Sequence, residues 1–366
     1  FSITWAASSA RRSSLKVATI VPQYVGDTTD VPNRMNDNNK PDRLGEFDLI
    51  AAYFRPLTEG RPEALDLKDD AGLLTPPKGC QLVVTTDALV AGQHFLADAD
   101  PECLAVKALG VNLSDLAAMG ATPAAYTLAL AAPKPIVPGW LQTFASGLGD
   151  MQAAHGIFLL GGDTVTTNGP LTLSITALGW VPAGQALRRS GAQIGDDLYL
   201  SGSIGDAALG LLVARDGRTL AGVDGDAFLR DRYDRPRPRT ALGPRLVSIA
   251  TSCIDVSDGL AADVGHIAKT SGLGAEIGVQ DLPLSDAARA ALAADPSLLE
   301  TLVTGGDDYE LAFTAPPSSA AAVATAARES GVPVTRIGTM TMEPEVRLLG
   351  PGGAVLDLGP GGYRHF

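Results

Sequence analysis

The spacing of hydrophobic residues predicts alternating helices and strands in the first half of the chain. From Leu104 to Met119 they recur at intervals of three and four, which predicts a long helix over residues 101–119. The same pattern predicts helices over residues 45–54 and 140–155. Runs rich in β-branched and apolar residues predict strands over residues 81–85, 124–131, 157–160 and 171–181. This order indicates an α/β or α+β domain spanning residues 41–182.

A second alternating pattern follows residues 182–192, which have the composition of a connector. Strands are predicted over residues 197–201, 254–256, 309–313 and 334–338. Helices are predicted from residue 206 onward and over residues 241–252, 260–270, 287–293 and 320–330. The charged, proline-bearing segment 224–238 predicts a loop and a helix start. We therefore expect a second α/β domain over residues 190–366, without a solenoid or heptad repeat.

Residues 1–40 differ in composition from the rest of the chain. The segment from Ser8 to Lys16 is rich in serine and basic residues and lacks acids, which is typical of a transit peptide. The alternative is a disordered extension or upstream sequence, with Met35 as the true start. In either case we expect residues 1–34 to be poorly packed and to contribute nothing to the fold.

Composition narrows the classes of function. The 366 residues include 28 Lys and Arg against 41 Asp and Glu, a formal net charge of -13, which disfavours a nucleic-acid backbone as partner. Aromatic residues make up only 5%, so a base-stacking surface is disfavoured as well. The sequence has no apolar run of membrane-spanning length. Its three cysteines are scattered, without a CxxC pair, and this predicts a cytoplasmic location.

Aspartates are concentrated in short motifs that we place at predicted strand ends and in glycine-containing turns. Asp70, Asp87, Asp115 and Asp163 lie in the first domain, and Asp255, Asp258 and Asp307 lie in the second. Carboxylates in such number repel one another unless cations neutralise them, and hard oxygen ligands suit Mg²⁺. The pattern predicts several magnesium ions that bridge phosphate groups. The alternative for any one of these residues is a turn or helix-cap role, Asp69 being a good example.

The familiar nucleotide-binding motifs are absent from the sequence. There is no Gly-Lys dipeptide, hence no Walker A loop, and no HRD or DFG triplet. The turn over residues 202–206 opens a predicted helix, so its amides are a weak candidate for holding phosphate, with an ordinary tight turn as the alternative. His94 is either a hydrogen-bond donor to phosphate or a core histidine. Arg188 and Arg189 are either a phosphate clamp or a solvated pair.

Seven motifs, taken in order, resemble those of the thiamine-monophosphate kinase family: KDDA, VVTTDALVAGQHF, VNLSDLAAMGA, LLGGDT, LRRSGAQIGDDLYLSG, IDVSDGL and GGDDYEL. The resemblance covers residues 45–363. It implies an α/β (α+β) fold of two domains, shared with the aminoimidazole ribonucleotide synthetase-like superfamily, and a homodimer that pairs through the sheets of its N-terminal domains. It also implies ATP-dependent phosphorylation of thiamine monophosphate to thiamine diphosphate with Mg²⁺.

Carried over motif by motif, the resemblance implies a set of site residues. The magnesium ligands would be Asp70, Thr85, Thr86, Asp87, Asp115, Asp163, Asp255 and Asp258, of which Asp87, Asp115 and Asp163 would be catalytic. ATP, held between the two domains, would contact Gly162, Asp163, Arg189 and Ser257. Thiamine monophosphate would contact His94, Asp307 and Tyr363. Two positions depart from the family pattern, because Lys68 stands where glycine is usual and Asp307 where glutamate is common.

The acceptor in such a reaction is a phosphate oxygen, which is anionic near neutral pH and needs little help from a general base. We therefore expect direct in-line transfer of the γ-phosphoryl group without a phospho-enzyme, catalysed by positioning and charge neutralisation. Two alternatives stay open. One is a sister ATP-dependent synthetase of the same superfamily, and the other is a non-catalytic scaffold that binds divalent metal or nucleotide.

Overall fold

The structure is a computed structural model that describes residues 45–135 and 137–356. The expectation for residues 1–40 and the candidate Tyr363 lie outside the described residues. Within the described part, no helix is both long enough and apolar enough to cross a membrane.

The first half of the described chain forms a four-stranded sheet with two long helices packed on one face. A short helix α1 (Glu46–Leu49) and a π-helical turn (Ile50–Phe54) precede the sheet. Its strands are β1 (Cys80–Val90), β2 (Thr122–Pro133), β3 (Phe158–Thr167) and β4 (Thr172–Pro182), and the helices are α2 (Pro101–Ala118) and α3 (Pro138–His155). The spatial order is β1-β4-β2-β3, with β2 and β3 parallel and the other pairs antiparallel.

The second half forms a seven-stranded sheet in the order β11-β10-β7-β9-β5-β8-β6. Its strands are β5 (Asp197–Ser201), β6 (Ser252–Asp255), β7 (Gly274–Gly278), β8 (Leu311–Ala315), β9 (Val334–Thr341), β10 (Val346–Leu349) and β11 (Val355–Leu356). The helices are α4 (Asp206–Asp216), α5 (Gly222–Asp234), α6 (Gly243–Leu246), α7 (Leu260–Ser271), α8 (Asp286–Ala294), α9 (Leu298–Thr304) and α10 (Ala320–Ser330). Strand β10 pairs in parallel with β7, and the other neighbours pair antiparallel.

Helix α2 contacts both sheets. It begins at Pro101, where the Asp100 carboxylate accepts hydrogen bonds from the backbone N–H groups of Glu102 (2.9 Å) and Cys103 (3.2 Å), which satisfies two amides that a helix start leaves open. The body of the helix packs on β1 and β4, and its last turn packs on β6 and β8. Most of its residues are buried for this reason, and its polar side chains lie where the two halves of the chain meet.

The first sheet has two different faces because side chains alternate along each strand. Towards α2 and α3, the residues of β1 and β4 join a large apolar core. On the opposite face, which we call the open face, Leu82, Val84 and Val165 are 42%, 56% and 47% exposed.

Most elements predicted from the pattern are confirmed, although β1 and β3 continue well past their predicted ends. Two element predictions are wrong, as is the placement of two aspartates at strand ends. Segment 224–238 is mainly helix α5, because Leu229 and Tyr233 are buried on one side together with the ion-paired Arg232, while Asp224 and Arg230 are exposed. The helix predicted over residues 241–252 is only the short α6, since Ser248 adopts a left-handed backbone with φ 67°. Asp87 and Asp163 lie inside β1 and β3 rather than at strand ends. The pattern missed α9 and the strands β7, β10 and β11.

A buried ionic network ties α5 to Glu310, the residue that precedes β8. The carboxylate of Glu310 has no exposed surface; it accepts hydrogen bonds from the Ser201 hydroxyl (2.6 Å), from Arg232 Nη2 (3.0 Å) and from the Arg239 guanidinium. Arg232 is itself buried. Breaking a buried pair by removing one charge leaves the other uncompensated, which costs about 3–5 kcal/mol.

We expect Glu310→Gln to lower the free energy of unfolding by about 3 kcal/mol, because the buried Arg232 loses its closest countercharge and keeps only the Asp206 carboxylate, 3.9 Å from its Nε. The measurement is the urea midpoint. Glu329→Gln is the matched control, since Glu329 is largely exposed and lies 3.8 Å from Arg245, and we expect it to change the midpoint little. Equal midpoints for the two variants would contradict the role of the network.

Candidate active site

Strand β1 and helix α2 supply the first polar groups of the site. Thr85 and Asp87 point towards the helices, because Ile175, the β4 partner of Asp87, is fully buried in the core. The Thr85 hydroxyl donates a hydrogen bond to Oδ2 of Asp115. The backbone N–H of Asp87 donates to Oδ1 of Asn112 over 3.2 Å. The three-residue spacing of Asn112 and Asp115 therefore places both side chains against the same strand.

The loop between β6 and α7 brings a second group of acids to the same place. Asp255 ends β6 and is buried, and Ser257 and Asp258 follow it. Oδ2 of Asp263, in the first turn of α7, accepts hydrogen bonds from the backbone N–H groups of Ser257, Asp258 and Gly259 at 3.0, 3.0 and 3.2 Å. Because this oxygen is committed to the backbone, Asp263 fixes the loop and Asp258 is left to face the cavity.

Arg189 contributes positive charge to this group. Its connector lies beside β6, where the Cys253 backbone N–H donates a hydrogen bond to the Arg188 carbonyl oxygen over 2.9 Å. From there the Arg189 charge lowers the pKa values of Asp115 and Asp255, against the larger effect of burial.

Burial and mutual repulsion raise the pKa values of the converging carboxyls. Burial, together with the charge of Asp115, raises the pKa of Asp87 to about 6. Burial raises the pKa of Asp115, and burial with the Asp115 charge raises the pKa of Asp255 well above its usual range. Crowded carboxylates with raised pKa values favour the binding of a cation. An all-oxygen donor set fits Mg²⁺.

A cavity of about 750 Å³ is bordered by these groups. Seven sequence-predicted residues line it: Asp87, His94, Asp115, Asp255, Ser257, Asp258 and Asp307. Nδ1 of His94 accepts a hydrogen bond from the Val90 backbone N–H over 3.0 Å. In the neutral ring the proton therefore resides on Nε2, so that His94 can act as a donor.

Thr85 and Arg189 adjoin this group of acids, whereas Asp70, Thr86, Gly162 and Asp163 lie elsewhere. A second cavity, of about 630 Å³, is bordered by Asp70, Gly162, Asp163 and Thr176. The Thr176 hydroxyl donates a hydrogen bond to Oγ1 of Thr86 over 3.1 Å. Thr86 therefore points to the open face, away from its neighbours Thr85 and Asp87.

The alternation of side chains separates two of the predicted catalytic residues. Asp87 pairs with the buried Ile175, so it faces the helices. Asp163 pairs with Ala129, which is exposed, and shares the open face with Val165. Within one chain, the structure therefore does not bring Asp163 to the side of the sheet that carries Asp87.

The turn over residues 202–206 is not an open phosphate site. Oδ2 and Oδ1 of Asp308 accept hydrogen bonds from the backbone N–H groups of Gly205 (2.7 Å) and Ala207 (3.0 Å). A carboxylate from the same chain thus occupies the N-terminus of α4, where it interacts favourably with the helix dipole. The expectation that these amides are available to phosphate is wrong.

Sequence reasoning missed three residues at the site: Lys107, Asp263 and Tyr309. Lys107 is a single charge in the apolar stretch of α2, and a buried lysine is rare unless it is paired. Asp263 lies in a first helical turn, where acids commonly accept backbone hydrogen bonds. Its carboxylate, that of Asp258 and the ring of His266 have ligand atoms within 4.8 Å of one another, although Oδ2 of Asp263 is already committed.

Comparisons with known proteins agree with this architecture. Residues 68–181 match the family model "AIR synthase related protein, N-terminal domain", and residues 193–350 match "AIR synthase related protein, C-terminal domain". The chain therefore belongs to the AIR synthase-related proteins.

Within this class, the chain belongs to the thiamine-monophosphate kinase family. It is 44% identical over 323 residues to the thiamine-monophosphate kinase of Escherichia coli K12, which covers 88% of this chain and 98% of the relative. A crystal structure of thiamine-monophosphate kinase from Stenotrophomonas maltophilia is similar with a TM-score of 0.77 and 42% identity, over 86% of this chain and 98% of that one. A structure of AaThiL complexed with AMPPCP and TMP matches with a TM-score of 0.70 and 27% identity, over 90% and 100%.

We expect Asp87→Asn to stabilise the protein in EDTA at pH 8. The folded state raises the pKa of Asp87 from 3.8 to about 6, so it binds the proton more tightly than the unfolded chain does. The folded state is destabilised by the ionised Asp87. This destabilisation grows as pH rises from 3.8 to about 6 and is complete at higher pH. It amounts to about 3 kcal/mol, at roughly 1.4 kcal/mol for each pKa unit.

The measurement is thermal unfolding at pH 8 with EDTA or with Mg²⁺. The variant should melt at a higher temperature than the unsubstituted chain in EDTA and gain less from Mg²⁺. Asp98→Asn, at an exposed position, is the control and should change neither value. A lower melting temperature for Asp87→Asn in EDTA would contradict the electrostatic account.

Proposed function

We propose that the chain is a kinase that uses ATP to phosphorylate thiamine monophosphate to thiamine diphosphate. The proposal rests on the cavity in which Asp87, Asp115 and Asp255 converge, in a member of the thiamine-monophosphate kinase family. A similar structure holds AMPPCP, an ATP analogue, together with TMP, which supports these two substrates. Both substrates are phosphorylated, so carboxylates alone would repel them.

The carboxylates would bind the phosphates through Mg²⁺. On the helix side of the sheet the ligands would be Thr85, Asp87, Asp115, Asp255 and Asp258. From the open face they would be Asp70, Thr86 and Asp163. Bound Mg²⁺ supplies charge neutralisation between the two phosphate chains.

ATP would be contacted by Gly162, Asp163, Arg189 and Ser257. A Cβ at Gly162 would lie 2.0 Å from a carbonyl oxygen of β2, so only glycine fits this close strand contact. The Ser257 backbone N–H is already bound to Asp263, which leaves its hydroxyl for a ligand. The exposed guanidinium of Arg189 can bind a phosphate through two parallel hydrogen bonds.

Thiamine monophosphate would lie in the larger cavity, near His94 and Asp307. The Nε2–H of His94 is a donor suited to the acceptor phosphate. The Asp307 carboxylate is suited to the positively charged thiazolium ring. A contact with Tyr363 stays a prediction.

Transfer would be direct and in line, because the acceptor oxygen is already anionic. Asp87, Asp115 and Asp163 would contribute by fixing the positions of the two phosphate chains rather than by removing a proton. No residue is required as a covalent acceptor.

We further propose a homodimer that pairs through the open face. The exposed Leu82, Val84 and Val165 provide apolar surface there. The same face carries Asp70, Thr86 and Asp163, so pairing would bring these residues of one protomer to the other.

The cytoplasmic location and the domain bounds 41–182 and 190–366 stay proposals; Cys80, Cys103 and Cys253 are all free thiols, in keeping with a reducing compartment.

The chain incubated with ATP, Mg²⁺ and thiamine monophosphate should form thiamine diphosphate and ADP, quantified by chromatography. Asp87→Asn should lower kcat by at least about a hundredfold, because it removes a charge that positions the phosphates. Asp98→Asn should keep full activity. Near-normal turnover of Asp87→Asn at saturating Mg²⁺ would remove Asp87 from the mechanism. If the unsubstituted chain forms no thiamine diphosphate, the remaining hypotheses are a sister ATP-dependent synthetase and a non-catalytic scaffold.

Co-expression of Asp87→Asn and Asp163→Asn chains with different tags tests the shared site. If each site takes one residue from each protomer, half of the randomly assembled dimers are mixed and each has one intact site. Activity should then recover to about a quarter of the unsubstituted value. Each variant alone should be inactive. No recovery in purified mixed dimers would show that both residues act within one chain.

A further inference from the structure

Lys107 is a buried cation in the wall of the larger cavity. It lies in the middle of α2 and is 3% exposed. Its Nζ donates to Oδ2 of Asp307 over 3.0 Å and to the Tyr233 carbonyl oxygen over 3.2 Å. It also lies 3.7 Å from the centre of the Tyr233 ring, at the distance of a cation–π contact.

These contacts engage the Lys107 ammonium with groups of the protein itself. An ammonium has three N–H donors, and here a carboxylate, a carbonyl oxygen and an aromatic face surround it. A lysine that binds a transferred phosphate must direct its donors into the cavity. Lys107 directs them to Asp307 and Tyr233 instead.

Asp307 is held at both of its oxygens. Lys107 binds Oδ2, and the Tyr309 hydroxyl donates to Oδ1 over 3.1 Å. The backbone is also constrained, because Asp307 and Tyr309 adopt left-handed conformations with φ 71° and 52°, which are costly for residues other than glycine. The Asp307 N–H bonds to the Ser257 carbonyl oxygen over 3.0 Å, so this loop is attached to the loop that carries the acids.

We infer that Lys107 is a positioning residue that acts through Asp307 and holds its carboxylate in the orientation that receives the acceptor substrate. The inference rests on the proposed function, in which Asp307 contacts thiamine monophosphate. Lys107 itself contacts neither phosphate chain. Removal of the Lys107 charge should therefore weaken the binding of thiamine monophosphate and leave the binding of ATP unchanged.

The test is a double-mutant cycle on the full chain with Lys107→Met, Asp307→Asn and the combined variant. Lys107→Met should raise KM for thiamine monophosphate at least about tenfold, because a close buried charge pair loses one partner. KM for ATP should stay within about twofold. The combined variant should match Asp307→Asn alone, since Lys107 acts only through that carboxylate.

Three further variants separate positioning from stability. Lys107→Gln replaces the ammonium with a neutral polar group. Of Lys107→Met and Lys107→Gln, the variant whose melting temperature is closer to that of the unsubstituted chain is used for kinetics. Tyr309→Phe removes only the hydrogen bond to Oδ1 and should raise the same KM by a smaller factor. Lys78→Met, at an exposed lysine, is the control and should change neither KM.

The outcomes are distinct. A rise in KM for ATP, or additive effects in the cycle, would overturn the inference, because Lys107 would then act on phosphate or independently of Asp307. If neither lysine variant folds, Lys107 serves the fold and the inference is overturned as well. If the unsubstituted chain forms no thiamine diphosphate, the proposed function itself fails. Product formation with an unchanged KM for thiamine monophosphate in the lysine variant would overturn the positioning role alone.

Discussion

The burial of helix α2 between the two sheets is the constraint on which the site depends. Polar side chains on a buried helix are costly unless they find a partner. Lys107 binds Asp307, Asn112 binds the backbone of β1, and Asp115 accepts a hydrogen bond from Thr85. These partners come from both halves of the chain. The hydrogen bonds and ion pairs that these polar side chains of α2 require therefore also hold the two walls of the cavity at a fixed distance.

The same constraint explains why the site is electrostatically costly. Asp87, Asp115 and Asp255 converge beneath the cavity, and burial raises the pKa of each. Arg189 offsets part of this charge from the connector. The buried carboxylate of Glu310, in contrast, is balanced within the protein by Arg232. At the cavity, a bound cation rather than a protein side chain would restore neutrality.

The local sequence pattern was sufficient to predict those helices and strands whose hydrophobic residues recur at a clear interval. The spacing from Leu104 onward predicted α2, and the β-branched run before Asp87 predicted β1, although that strand continues past Asp87 to Val90. Helix α5 was predicted only as a loop and a helix start, because its buried side depends on packing against α4. The acids of α2, β1 and β6 that the motifs singled out line one cavity, and their role as ligands stays a prediction. The face on which Asp163 lies could not be predicted, since it depends on the register of β3 against β2.

That register has a chemical consequence. Residues one apart on a strand point to opposite faces, so Thr85 and Thr86 serve different sides of the sheet. A motif that contains both therefore offers hydroxyl oxygens on the two opposite faces of the sheet. The open face combines exposed apolar side chains at Leu82 and Val84 with the hydrogen-bonded Thr86 and Thr176. Apolar contact there would exclude water from the polar positions, which strengthens the interactions between charges and any cation they hold.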